Sequence, residues 1–516
     1  MASEPTRRML LEGMLLGLGG TAATLLPSSV RAQGPDSPRR LTIAIPVGPD
    51  HFEPALLNAT AVFRTASNLF DSLLAYGYGA DMAVRPALAS RWERADDRSV
   101  RFWLRPGVLF HDGSAMQAED VAWSLGPDHL LGPNRNGAVV SLQTLDVLDG
   151  VAIEAPDRIV VSAKGPDALL ERRLAAWSSQ IMSRKAFERA GSWQAWQRAP
   201  VGTGPYKFAD ARMDSYVRFV RHDVYWGGLP PFEEITWRVV PEVSSRLAGL
   251  YAGDYDLVTD VPPDQFDEVR SHPGLAVVGG PIQNIRSLTI DTTAPVLSNV
   301  RVRRALSLAI DRKLIIDSLW HGLTEVPNGY QLPSYGDTYI ADFPGPAYDP
   351  AEAKRLLALA GYKGEPITYK LLNYYPLQVQ GAQAMVGMWE AVGLNVQIEM
   401  KENFSQVETA PIHAIYDNSN TALLPDPLGH GWRIFGPRGE MPYGSKIWSS
   451  AEYAELGTRL GNSVDPVERR RIARRLLEIV RDEAPIVILF RQAMFYAKRR
   501  NVPWMPDDVL ITRFAP

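Results

Sequence analysis

The chain has 516 residues, which at roughly 150 residues per domain predicts about three domains. Its 54 basic and 58 acidic residues give a net charge of −4, so the basic balance of a general nucleic-acid binder is missing. Apolar residues are 46% and charged residues 22%, the profile of a folded protein with a large core. Cysteine is absent, which excludes disulfide frameworks, Cys-ligated metals and Cys nucleophiles.

Residues 1–32 read as an export signal. The twin-arginine pattern Thr6-Arg7-Arg8-Met9-Leu10-Leu11 precedes an apolar stretch from Gly13 to Leu26, and Val30-Arg31-Ala32 supplies a small-residue end. About 14 residues rising 1.5 Å each cover only about 21 Å of a roughly 30 Å hydrocarbon core, so cleavage is expected rather than anchoring. No Cys follows to carry a lipid, and no later stretch has about 18 apolar residues in a row. The mature chain is expected to be a free periplasmic protein, exported by the twin-arginine route.

Strands and helices then alternate without a short repeat, which predicts mixed α/β layers. Alternation or β-branching predicts strands at Leu41–Ile45, Val100–Leu104, Arg158–Ser162, Ile235–Val240, Leu288–Asp291, Leu394–Met400 and Ile486–Phe490. One amphipathic helix carries Val302, Ala305, Leu306 and Ala309 and ends near Gly322. Asp349-Pro350-Ala351-Glu352 starts another with a capping box, and Gly361 stops it. Asp465-Pro466-Val467-Glu468 repeats the device. Behind it Ile472, Leu476, Ile479 and Val480 form an apolar face, and the Arg run at 469–475 is expected to be a solvated face.

The usual catalytic patterns are absent: no Gly-x-Ser-x-Gly, no His-Glu-x-x-His and no phosphate-binding Gly-x-x-x-x-Gly-Lys. The eight histidines are scattered, with no i, i+4 pair to hold a metal on one helix. His111-Asp112 is read as part of a turn, Phe110-His111-Asp112-Gly113, rather than as a catalytic pair. No catalytic residue and no cofactor is predicted. Aromatic rings in polar contexts, Tyr374-Tyr375-Pro376, Tyr416-Asp417-Asn418, Trp432-Arg433 and Tyr443, favour a small-molecule cleft over an enzyme.

Several blocks carry a family resemblance. Leu88–Glu93, Val100–Gly113 and Ala118–Val121 are followed by Val201-Gly202-Thr203-Gly204-Pro205-Tyr206, Tyr225-Trp226-Gly227-Gly228 and Gly253-Asp254-Tyr255-Asp256. Then come Val300-Arg301-Val302-Arg303-Arg304-Ala305, Ala309-Ile310-Asp311-Arg312 and Asp482-Glu483-Ala484-Pro485-Ile486. In this order they closely resemble the peptide/nickel-type (dipeptide/oligopeptide-binding) periplasmic solute-binding proteins of ABC importers. The resemblance implies an α/β, two-lobed periplasmic-binding-protein fold with a hinge and an extra α/β domain inserted in the first lobe. Lobe I would comprise 38–78, 201–290 and 480–516, the added domain 79–200, and lobe II 291–479. The function implied is capture of a peptide-like or other small organic solute between the lobes, and delivery to an ABC transporter membrane permease by a monomer.

Dipeptide binders of that family place an Arg before a Pro for the ligand carboxylate, and an acid three residues before an Asp-Pro for its amine. The matching positions here are Tyr375, before Pro376, and Leu423, before Asp426-Pro427. A charged ligand end left unpaired in a closed cleft costs several kcal/mol, so a simple dipeptide is disfavoured. Candidate ligand contacts are Tyr374, Tyr375, Asn418, Asn420, Thr421 and Trp432, with Arg433 for an anionic group. Two other readings are a nickel or metal-chelate carrier, with His413 and His430 as nearest ligands, and a periplasmic peptide-binding chaperone.

Overall fold

The structure is a computed structural model that describes residues 39–56, 60–78, 82–130, 144–372 and 376–516. The export signal therefore lies outside the described residues, as do Tyr374 and Tyr375. Its strands, in chain order, begin with β1 (Arg40–Ile45), β2 (Leu74–Gly77), β3 (Ala83–Pro86), β4 (Ala89–Arg94) and β5 (Ser99–Leu104). Next are β6 (Leu148–Ala155), β7 (Arg158–Ala163), β8 (Tyr206–Arg212), β9 (Tyr216–Arg221), β10 (Glu234–Val239) and β11 (Leu257–Thr259). The last are β12 (Leu275–Ile290), β13 (Pro366–Leu372), β14 (Asn395–Lys401), β15 (Ala414–Thr421) and β16 (Ile486–Arg499).

Ten of these strands form one sheet, in the order β14-β13-β15-β12-β16-β11-β1-β10-β9-β8. A separate four-stranded sheet, β4-β5-β7-β6, comes from the stretch between β3 and β8, and β2 pairs with β3. The long strands β12 and β16 cross from one half of the large sheet to the other. The predicted strands at 288–291 and 486–490 are thus single ends of much longer ones, and the expected divisions at 290/291 and 479/480 fall at the end of β12 and inside helix Pro466–Glu483.

Period-2 alternation assigns each strand's residues to one face or the other. Ala44 and Val258 of one half join Leu288, Ile290 and Ile415 of the other in a single apolar cluster, so one face has a core common to both halves. The opposite face carries two cores. Ile43, Phe219 and Trp237 build one, and Ile285, Tyr416 and Leu424 build the other. On this face the two cores part between Ile282 and Ile285, and the space between them is the candidate cleft.

The resemblance blocks are packing nodes. Asp71 gathers two of them, accepting hydrogen bonds from Thr203 (3.1 Å), Tyr225 (3.2 Å) and Trp226 Nε1 (2.8 Å) and pairing with Arg513. Arg303, buried, donates to the carbonyls of Leu297, Ser298, Glu483 and Ala484, so it joins its block to the end of helix Pro466–Glu483. Asp112 accepts from the Ser114 backbone and hydroxyl in a turn with Gly113 at φ 84°, while His111 bonds the backbone of Gly202 and Gly204. Burial pushes the His111 imidazole down to about 3, which keeps it neutral in that role.

Three helix expectations change. The helix expected to run to Gly322 is two, Val300–Leu308 and Arg312–Leu319, because Asp311 caps the second through Leu314 N–H. Both capping boxes are half made. Asp349 accepts from Glu352 N–H and Asp465 from Val467 N–H, but Glu352 turns to Arg355, and Glu468 to Arg459 and Ser463. The Arg run is also not uniformly solvated. Arg469 is buried and pairs with Asp426 at 2.8 Å, whereas Arg474 and Arg475 make surface pairs.

Gly204 shows why its block tolerates no side chain. A Cβ there would sit 2.5 Å from Leu69 C and 2.6 Å from Asn68 O, both backbone. Gly204→Ala is therefore expected to lower stability by about 1–3 kcal/mol. Gly150→Ala, where a Cβ meets nothing within 4 Å, should leave thermal unfolding nearly unchanged, and the pair measured side by side checks the assignment.

Candidate functional site

The cleft is set by a break in the β12–β16 ladder. Pairing runs through Pro281 opposite Ala493 and resumes at Ile285 opposite Arg491, leaving three residues of β12 facing one of β16. Pro281 has no N–H to give, and such a bulge bends the strands that carry it. The released backbone groups find other partners. Arg491 donates to Ile282 O, Gln283 N–H to Asp508 O (2.7 Å), and Ala422 N–H to Gln283 O (2.8 Å). The Gln283 side chain binds both walls, donating to the Asp508 carboxylate and accepting from Ser334 (2.7 Å).

Strand β15 forms the wall on the β12 end. Asn418 pairs with Ser287 and Asn420 with Ile285, which puts Asn418 and Asn420 on the cleft face with Tyr416. Asn420 Oδ1 accepts from Arg433 at 2.7 Å, and Asn418 Nδ2 donates to Glu440 at 2.8 Å. Arg433 Nε is buried with no hydrogen-bond partner among the described residues. Burial pushes the Glu440 carboxyl above its ordinary value, against the opposing pull of the Arg433 charge. The result is a half-buried Arg and a half-buried Glu, each tied to an asparagine two residues from the other's.

Three of the sequence candidates are thus brought together: Asn418, Asn420 and Arg433. Thr421 is not, because alternation turns it to the opposite face, where it accepts from Asn284 Nδ2 at 2.9 Å. Trp432 is a packing residue, stacked on Tyr453 with ring centroids 6.2 Å apart and seated against Gly457. Tyr374 and Tyr375 lie outside the described residues. His430 is fully buried between Tyr335 OH (2.6 Å) and Asn420 O (2.9 Å), and burial with the Arg433 charge pushes it down to about 3. His413 precedes β15 at its other end, seven residues or roughly 23 Å of strand from Asn420, so the two histidines considered as metal ligands are not brought together. Among the described residues no group of three His, Asp or Glu is placed to hold a metal.

Glu440, Gln283, Ser334 and Asp508 were not among the candidates. Gln283-Asn284 just after Pro281 was the one available signal, since two polar residues and a proline inside an apolar strand mark a bulge. Leu423, the residue expected to stand where dipeptide binders carry an acid, packs against the Ile43–Trp237 core.

Asp507 and Asp508 lie on the wall opposite β15. The Asp507 side chain is exposed, and local desolvation with the neighbouring Asp508 charge pushes its carboxyl up to about 6. A carboxyl raised in the folded state binds its proton more tightly there, so it favours folding at low pH, and that contribution is lost as pH rises through about 6. Asp507→Asn should therefore raise the melting temperature at pH 7.5 only slightly, because solvent screens an exposed carboxylate, with the gain disappearing below about pH 4, as thermal unfolding across pH will show.

Residues 83–440, more than two thirds of the chain, match the family described as bacterial extracellular solute-binding proteins, family 5 Middle. The chain is 30% identical to heme-binding protein A of Haemophilus influenzae over 344 residues, 62% of this chain and 61% of that protein. It is 25% identical to the glutathione-binding protein GsiB of Salmonella paratyphi A over 512 residues, 94% of this chain and 96% of that one. The fold is similar to that of the periplasmic binding protein DppA of Helicobacter pylori, solved with the peptide STSA. The TM-score is 0.79 at 20% identity, over 92% of this chain and 97% of that chain. With its two half-sheets joined by crossing strands and its cleft at their bulge, the chain belongs to the family 5 extracellular solute-binding proteins.

Proposed function

We propose that this chain is an exported receptor that holds a small organic or peptide-like solute in the cleft beside the β12–β16 bulge and hands it to the permease of an ABC importer. Its action is binding and delivery, with no bond made or broken, and the lobes close on the ligand by bending at the bulge. Among the described residues no helix is long and apolar enough to cross a membrane, which is compatible with release after export.

The observation that carries the ligand class is the exchange of charges on the β15 wall. Where a dipeptide binder holds an amine, Leu423 fills the space with hydrocarbon. Arg433 instead offers a buried Nε that no described residue accepts from, beside Asn420. An N–H so placed favours an acid, because a charge-assisted hydrogen bond is worth about 1.5–3 kcal/mol. The cargo is therefore an acid-bearing solute whose amine, if it has one, is not held at position 423. Glutathione, named in the relative GsiB, belongs among the compounds to try.

A thermal-shift screen of the mature protein tests this. A ligand at about 100 times its Kd should add roughly 2.7 kcal/mol of stability. Acid-bearing solutes are expected to raise the melting temperature, and Arg433→Ala is expected to weaken the best of them by about 10- to 100-fold. Tight binding of unmodified dipeptides that survives Arg433→Ala would overturn the assignment.

A further inference from the structure

The domain inserted between β3 and β8 does more than sit on the first lobe. After β7 the chain makes a single helical turn, Leu170–Arg173, with two differently occupied sides. Leu170 and Leu174 point into the inserted domain's own core, beside Phe102 and Val161. Leu169 points the other way. It is 5% exposed and belongs to the core of the opposite lobe, with Ile285, Tyr335 and Leu424. One apolar side chain thus leaves its own domain and is buried in another.

Arg172 makes the second crossing. Its Nη1 donates to the carbonyl of Pro425 at 2.7 Å, and a Cβ added at Gly336 would lie 3.6 Å from its Nη2. Gly336 has φ 59° and ψ −119°, a conformation only glycine adopts freely, and the Arg172 guanidinium rests within ordinary contact distance of it. The turn itself is held firmly. Tyr76 OH donates to Arg172 O (2.6 Å), and Asp167 accepts from Leu169 N–H (2.8 Å) and from buried Arg173 (2.7 Å), which donates onward to Thr144 O. The receiving loop is equally fixed, because Asp426 next to Pro425 is paired with buried Arg469. That loop, residues 422–427, carries Leu423.

We propose that Leu169 and Arg172 are positioning residues of a latch, by which the inserted domain holds the cleft closed and fixes the ligand-side loop at Leu423–Asp426 without touching the ligand. The proposal rests on the hinge reading above. If the lobes part at the β12–β16 bulge, these contacts must break, so their strength sets the balance between open and closed forms. Arg438 and Asp146 also pair across this seam, but Arg438 is 81% exposed and such pairs contribute little.

The absence of cysteine makes a direct test clean. Spin labels attached to Glu188→Cys in the inserted domain and Lys354→Cys in the opposite lobe, both exposed positions, report the opening by electron–electron double resonance with no ligand added. The unmodified latch should give a short-distance population. Leu169→Ala with Arg172→Ala should move most of it to longer distances, and Arg438→Ala should not. Circular dichroism confirms that each variant is folded, and Arg172→Ala alone, which creates no cavity in a core, serves if the double variant is not. Distance distributions identical to those of the unmodified chain would overturn the latch. That outcome leaves the binding reading standing, since the ligand screen decides it separately.

Discussion

The pairing of β12 with β16 is the constraint on which the rest of the molecule depends. Both strands are long enough to belong to two half-sheets at once, so everything built on either half is referred to one backbone frame. The ladder is paired at both ends and broken in the middle, with a further register shift between Arg286 and Ser287. On one face a single apolar core spans the break, and on the other two cores part at it, Ile282 belonging to one and Ile285 to the other. The bending proposed for the bulge would close the lobes towards the split face.

The polar chemistry follows from the same break. Backbone groups released by the bulge would be costly to bury unpaired, and they are met by Arg491, Asp508 and the Ala422 backbone. Those partners come from both lobes, so satisfying the bulge also draws the walls of the cleft together. Asn418 and Asn420 face the cleft because alternation on β15 is in register with Ser287 and Ile285. Arg433 and Glu440 then meet the asparagines from outside the sheet.

The fold was legible in the sequence to the extent that short-range rules govern it. Pro350 after Asp349, and Gly361 at φ 68°, bound their helix as expected. The resemblance blocks were legible too, but as scaffold: Asp71 with Thr203, Tyr225 and Trp226 is a lobe's internal knot, not a ligand site. What failed depended on partners far away in the chain. Arg469 looked like one more solvated arginine, and only Asp426, 43 residues away, makes it a buried ion pair. Trp432 and Arg433 are neighbours in sequence, yet a helical turn sends one to Gly457 and the other to Asn420. Thr421 was lost to the two-residue period of β15, which one residue reverses.

The most direct test of the account is a crystal structure of the mature protein with the solute identified by the ligand screen. The account predicts the solute on the split face of the sheet, beside the bulge at residues 282–284, with its acid on Arg433 and apolar surface against Leu423. A solute bound on the continuous face, or between the lobes with an amine at position 423 and no contact to Arg433, would contradict it.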